Sequence, residues 1–110
     1  MSLDDKPLFW LQAGVKSPPF SVAARIEVGY QLRRLQQGEK LRMPLSRPMA
    51  ALGKRCHELR VTDGHVTWRL IYRIDHDAIV LVEVFNKKTA KTPKQVINVC
   101  KSRLREYDDD

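Results

Sequence analysis

Two glutamates and three arginines stand at strand-like spacings in the second half of this 110-residue chain. Glu58 and Arg60 are two apart, Arg69 and Arg73 are four apart, and Glu83 follows. Side chains in a β-strand alternate between faces, so residues an even number apart on one strand project from the same side. Cross-strand neighbours lie about 5 Å apart, close enough for several guanidinium groups to hold one phosphate. Arginine suits that task because its planar fork matches phosphate oxygens and stays charged. Lys87, Lys88 and Lys91 come just after, at the mouth of the same face. A blander reading is also open, in which the same residues form a solvated face and pair with one another.

Other chemistries find little support. The chain has no nucleophile elbow, no phosphate-binding glycine loop and no carboxylate set with metal-ligand spacing. Cys56 and Cys100 are the only cysteines. Without C-x-x-C spacing they are expected to be two small, partly buried thiols, not a disulfide or a zinc site. His57 alternates onto the side of Leu59 and reads as a core or edge histidine. His65 and His76 fall in turns. The expectation is therefore no metal and no cofactor, and any catalysis must rest on arginine and lysine.

The elements that would position these residues follow from periodicity. Pro7–Gln12 reads as a short strand. Ser17-Pro18-Pro19 is expected to open a helix, with Ala23, Ile26, Val28, Leu32 and Leu35 facing inward and Arg25, Gln31, Arg33 and Arg34 outward. Gly38 ends it. Residues 39–53 read as an irregular connection with one helical turn near Met49–Leu52. Strands are predicted at Lys54–Val61, Val66–Ile74 and Ala78–Phe85, joined by turns at Thr62–His65 and Asp75–Asp77. A last helix starts at Thr92-Pro93, with Val96, Val99, Cys100 and Leu104 as its apolar stripe and Lys94, Lys101, Arg103 and Arg105 on its basic face. The fold class is α+β: an antiparallel sheet made of the short N-terminal strand and a three-strand meander, with helices packed on one face. Leu59, Val61, Trp68, Leu70, Tyr72, Ile74, Val80, Val82 and Val84 would lie under the helices. Glu58, Arg60, Arg69, Arg73 and Glu83 would share the opposite face.

Bulk properties set the partner class. Twenty Lys and Arg against thirteen Asp and Glu leave a net charge of +7. Asp4, Asp5 and the tail Asp108–Asp110 hold five of the acids, so the middle of the chain is more basic still. Such a surface favours nucleic acid or an acidic protein partner. The chain reads as one domain spanning 1–110. No apolar run approaches the roughly 20 residues of a membrane helix, and the acidic N-terminus does not resemble a secretion signal. A cytoplasmic protein without membrane contact is expected.

Three ordered motifs carry a resemblance: CHELRV at 56–61, WRLIYRI at 68–74 and IVLVEVFNKKTAKTP at 79–93. Together they resemble the RelE/ParE toxin superfamily, and within it the phage-derived HigB-like branch. The likeness spans residues 54–107 well and Pro7–Leu35 loosely. It implies a toxin of a type II toxin–antitoxin pair that acts as an endoribonuclease on mRNA in the ribosome. The expected partner is a cognate antitoxin, HigA-like with a helix-turn-helix domain. By the same resemblance the candidate catalytic residues are Arg60, Arg69, Lys87 and Glu58, and the RNA-binding residues are Lys54, Arg55, Arg73, Lys88 and Lys91. The best-known pattern has lysines on the first meander strand, where this chain has Cys56 and Glu58. It also has a tyrosine after the basic segment, where this chain has none before Tyr107. Glu58 and an activated lysine both stand as the general base, with Glu58 alternatively organising Arg60 and Arg69. A ParE-like gyrase inhibitor, or an inactive antitoxin-binding relative, fits the same resemblance.

Overall fold

The computed structural model describes residues 5–11, 20–86 and 91–109. The expected α+β architecture is present: five strands in one mixed sheet, with two long helices. Expectations at Gln12, Ser17–Pro19, Lys87, Lys88 and Asp110 lie outside the described residues.

The meander forms where periodicity placed it. Strand β3 runs Cys56–Asp63, β4 Val66–Ile74 and β5 Ile79–Asn86. Asp63 pairs with Val66, leaving Gly64-His65 as a two-residue hairpin turn with Gly64 at φ 62°, a conformation glycine adopts without a Cβ clash. Two short strands flank the meander. Strand β1, Leu8–Trp10, pairs parallel with β5, and β2, Ser46–Pro48, pairs antiparallel with β3. The spatial order is β1-β5-β4-β3-β2. Pro48 is tolerated because β2 is an edge strand.

Helix α1 spans Val22–Gln36 and is capped by Ser21, whose Oγ accepts from the Ala24 N–H at 3.1 Å. At its other end Gly38 sits at φ 89°, the Gly38 N–H donates to Leu35 O and the Glu39 N–H donates to Arg34 O, a Schellman closure. The buried face is Ala24, Val28, Gln31, Leu32 and Leu35. Ala23 and Ile26, expected inside, are exposed, and Gln31, expected outside, is buried. Ile26 lies about half a turn from Val28 and Leu35 on a 3.6-residue period, so one apolar set must face water. Gln31 is accommodated because its amide donates to Glu27 and accepts from Arg34, both at 2.8 Å.

The sheet is covered on both faces, which corrects the expectation that the helices share one. Helix α1 packs with Leu59, Val61, Leu70, Tyr72, Ile79 and Leu81. Helix α2, Lys94–Asp109, packs its Cys100 and Leu104 with Ile71, Val80 and Val82 on the other side. A single 3₁₀ turn, Ala50–Leu52, closes beside it. The reason α2 finds an apolar surface there is a β-bulge. Ile71 pairs with Glu83 but Tyr72 pairs with Leu81, so Val82 is an extra residue on β5. Val80 and Val82 then join the α2 face, whereas Val84 packs with the α1 core. The expected grouping of Val80, Val82 and Val84 on one face is broken at that point.

Candidate functional site

The site is built around Glu58. This side chain has no solvent exposure, although it ends in a carboxyl group. Burying a carboxylate costs several kcal/mol unless donors surround it. Here Arg47 Nε lies 3.3 Å and Arg69 Nη1 lies 3.4 Å from Oε1, and the Thr92 hydroxyl donates to Oε2 at 3.1 Å. The backbone dictates this convergence. Glu58 is the direct partner of Arg47 on β2 and of Ile71 on β4, one strand alternation from Arg69. Thr92 arrives from the turn that leads into α2.

Arg60 and Arg69 are direct cross-strand partners, so they project from the same face. Arg60 is exposed and Arg69 is buried, with 8% of its surface accessible. Burial holds the Arg69 guanidinium below the usual arginine value, with Arg60 and Arg47 adding to that and Glu58 opposing it. Its Nε meets no hydrogen-bond acceptor among the described residues, whereas Arg69 Nη1 and Arg47 Nε contact Glu58 as ion pairs without aligned hydrogen bonds. An unmet buried donor costs about 1–3 kcal/mol. Two guanidinium groups, those of Arg47 and Arg69, thus face one carboxylate and Arg60 stands opposite Arg69, leaving local positive charge. Beside them is a depression of about 370 Å³ that Arg47, Met49, Lys91, Thr92 and Ile97 help to line.

Not every expected residue joins this cluster. Arg73 lies on the same face but donates to both oxygens of Asp75 (2.7 and 2.9 Å) and of Asp108 (2.9 and 2.6 Å). Its fork is filled by carboxylates, so it anchors the end of α2 to the sheet. Glu83 pairs with Arg103 of α2 at 3.1 Å. Lys54 and Arg55 lie just before β3 and line a separate pocket with Lys40, Arg42 and His57. Lys91 lines the depression. Lys87 and Lys88 are outside the described residues.

Arg47 and Thr92 are the site residues that sequence reading missed. Thr92 falls where the pattern predicts the last helix to start, two residues before the observed first residue of α2, Lys94. Arg47 stood in a segment without periodicity, and its signal is a lone cation beside an edge-compatible proline. Cys56 and Cys100 are free and buried. Among the described residues no group of three or more His, Cys, Asp or Glu could hold a metal ion, and no helix is long and apolar enough to cross a membrane.

What this arrangement can do is hold an anion whose charge is growing. Preformed cations in a partly desolvated site stabilise developing charge more strongly than water does. A family model, phage-derived protein Gp49-like (DUF891), matches residues 19–105. No curated protein and no solved structure matches the chain.

Proposed function

The chain belongs to the phage-derived Gp49-like family, a toxin-like family within the broad RelE toxin–antitoxin superfamily, and from that premise we propose that it is a ribosome-dependent endoribonuclease that cuts mRNA without a metal. The observation that carries this reading is that Arg47 and Arg69 flank buried Glu58 while exposed Arg60 stands directly opposite Arg69, three cations beside one carboxylate. An RNA phosphate is held by the exposed Arg60, with Arg69 and Arg47 behind it as fixed positive charge. The 2′-hydroxyl attacks the adjacent phosphorus and loses its proton to a base. The bond to the 5′-oxygen breaks, and that oxygen takes up a proton. The products are a cyclic phosphate and a 5′-hydroxyl end. Arg60 and Arg69 neutralise the phosphorane, and Lys87, Lys88 and Lys91 bring further positive charge to the strand. Arg47 joins them. Glu58 is a positioning residue for Arg47 and Arg69, because its oxygens already face Arg47, Arg69 and Thr92. In this reading the chain is HigB-like, works in the cytoplasm and is neutralised by a helix-turn-helix antitoxin.

The test pairs cells with purified components. On induction, mRNA is expected to be cut while chromosomal DNA stays intact. Purified ribosomes carrying mRNA are expected to yield fragments with new 5′-hydroxyl ends, and Arg69→Ala is expected to abolish them. DNA breaks with intact mRNA would instead favour a gyrase inhibitor. Cleavage by Arg69→Ala at the wild-type rate would overturn the mechanism.

A further inference from the structure

A second basic pocket lies on the other face of the sheet. It has a volume of about 470 Å³, within the range of small-ligand sites. His57 and Tyr72, which form its inner wall, are direct cross-strand partners whose side chains project to the α1 side, away from Glu58 and Arg69. Leu41 and Ile74 complete an apolar floor, and Lys40, Arg42, Lys54 and Arg55 supply the remaining lining. Among the described lining residues there is no carboxylate, although Asp75 pairs with Arg55 from outside at 3.2 Å.

The floor is rigid and aromatic. The His57 and Tyr72 rings stack at 5.4 Å with their planes 20° apart. The Tyr72 hydroxyl and Ser46 Oγ share a 2.6 Å hydrogen bond in the interior, which fixes the phenol, and Tyr72 is 1% exposed. The His57 ring, which is partly exposed, continues that stack towards solvent. Four cations around a stacking platform are the features by which proteins hold single-stranded nucleic acid: charge tracks the backbone and an aromatic face takes a base.

We infer that this pocket, formed by Lys40, Arg42, Lys54 and Arg55 around the stacked His57 and Tyr72, is a second contact for single-stranded RNA, holding one nucleotide with its base against His57. The inference rests on the proposed function only for the choice of RNA. An acidic peptide would use the four cations but would leave the aromatic stack without a role, so the nucleotide is the better fit. The two sites lie back to back across the sheet near its β2 edge, since His57 and Glu58 are consecutive on β3 and both pair with β2 residues. One strand bound at both places would pass around that edge.

The experiment uses the full chain and a six-residue 2′-O-methyl oligoribonucleotide, which has no free 2′-hydroxyl to attack and is not cut. The His57 ring resonances are expected to shift and saturate in the wild type and also in Arg60→Ala, an exposed position on the opposite face. In the double variant Arg42→Glu/Lys54→Glu, both positions being exposed, the His57 shifts are expected to vanish. Affinity should drop at least tenfold, and the salt dependence of log K should flatten by about 1.4, two phosphates at about 0.7 each for a single strand. Unchanged affinity and salt slope in the double variant would overturn the inference. So would a poly-glutamate peptide that displaces the oligonucleotide at equal charge concentration, which would assign the pocket to a protein. Loss of ribosomal cleavage in Arg60→Ala with the His57 shifts intact separates the two sites. Failure of the wild type to cut RNA, with the shifts present, would sink the proposed function and leave the pocket standing.

Discussion

Arg60 of β3 and Arg69 of β4 sit directly opposite each other on one face of the sheet. Like charges in that position destabilise a strand pair, so folding alone does not explain the arrangement. Arg60 is exposed, whereas Arg69 is buried against Glu58. The two variants should therefore part company. Arg60→Ala is expected to leave the unfolding midpoint unchanged or slightly higher, and to lower ribosome-dependent cleavage roughly 10²–10³-fold, the typical loss for a removed charge-stabilising donor. Arg69→Ala is expected to lose cleavage and stability together. Urea unfolding and the fragment assay read the two effects separately. Arg60→Ala with normal cleavage would remove Arg60 from the site.

Glu58 should matter more to the fold than any surface acid. It is fully buried and faces two guanidinium groups and a hydroxyl. Glu58→Gln leaves Arg47 and Arg69 repelling each other without a counter-charge. Breaking a buried pair this way costs about 3–5 kcal/mol, read as a lower urea midpoint at an unchanged slope. At a temperature where the variant remains folded, kcat is expected to fall at least tenfold while the KM for ribosomes moves little. A merely structural role would leave kcat per folded molecule intact.

Local pattern and tertiary context divide what could be read from the sequence. Strand β4 has the predicted bounds, Val66–Ile74, because Gly64 and the Asp75–Asp77 turn punctuate it. The placement of Glu58, Arg60 and Arg69 on one face was readable from alternation, since none of them lies beyond the bulge. The bulge at Val82 was not, because no residue type marks it, and it decides which face of β5 meets α2. Strand β2 was missed because three residues ending in proline have no period. Its extended state comes from pairing with β3, and Arg47 was lost with it. Helix α1 misled for the opposite reason. Val22, Ile26 and Tyr30 form a second apolar stripe that stays exposed, so periodicity alone could not choose the buried one.

Arg73 and Asp108 make the C-terminal end of α2 sensitive to acid. The Arg73 hydrogen bonds hold the Asp108 carboxyl below the usual aspartate value, near 4 in an unfolded chain. A lowered value in the fold means the contribution is complete above the unfolded value and is lost as pH falls through the folded one. The wild type should therefore lose helix-end protection on acidification below about pH 4, read by amide exchange at Leu104–Asp108. In Asp108→Asn that protection should be weaker at neutral pH and less dependent on acid. Arg73→Lys should resemble it at neutral pH, since a lysine cannot fork across Asp75 and Asp108. Equal acid dependence in wild type and Asp108→Asn would place the titrating group elsewhere.

Cys56 and Cys100 should be inert in the folded protein. Burial pushes the Cys100 thiol up to about 12, with Glu83 adding to it, and raises Cys56 against the pull of Arg73 and Arg55. The nucleophile in thiol chemistry is the thiolate, which neither residue supplies at neutral pH. Both side chains lie in the α2 core, at 1% exposure or less. A thiol reagent at neutral pH is therefore expected to react only as fast as the protein unfolds, and to label both cysteines at once in urea. Cys100→Ala should cost little. Cys100→Ser should cost about 1–3 kcal/mol, because it buries a hydroxyl among apolar neighbours. Rapid labelling of Cys100 under conditions where α2 amides remain protected would show that the helix opens independently of the sheet, and would place the α2 core contact among the weakest in the molecule.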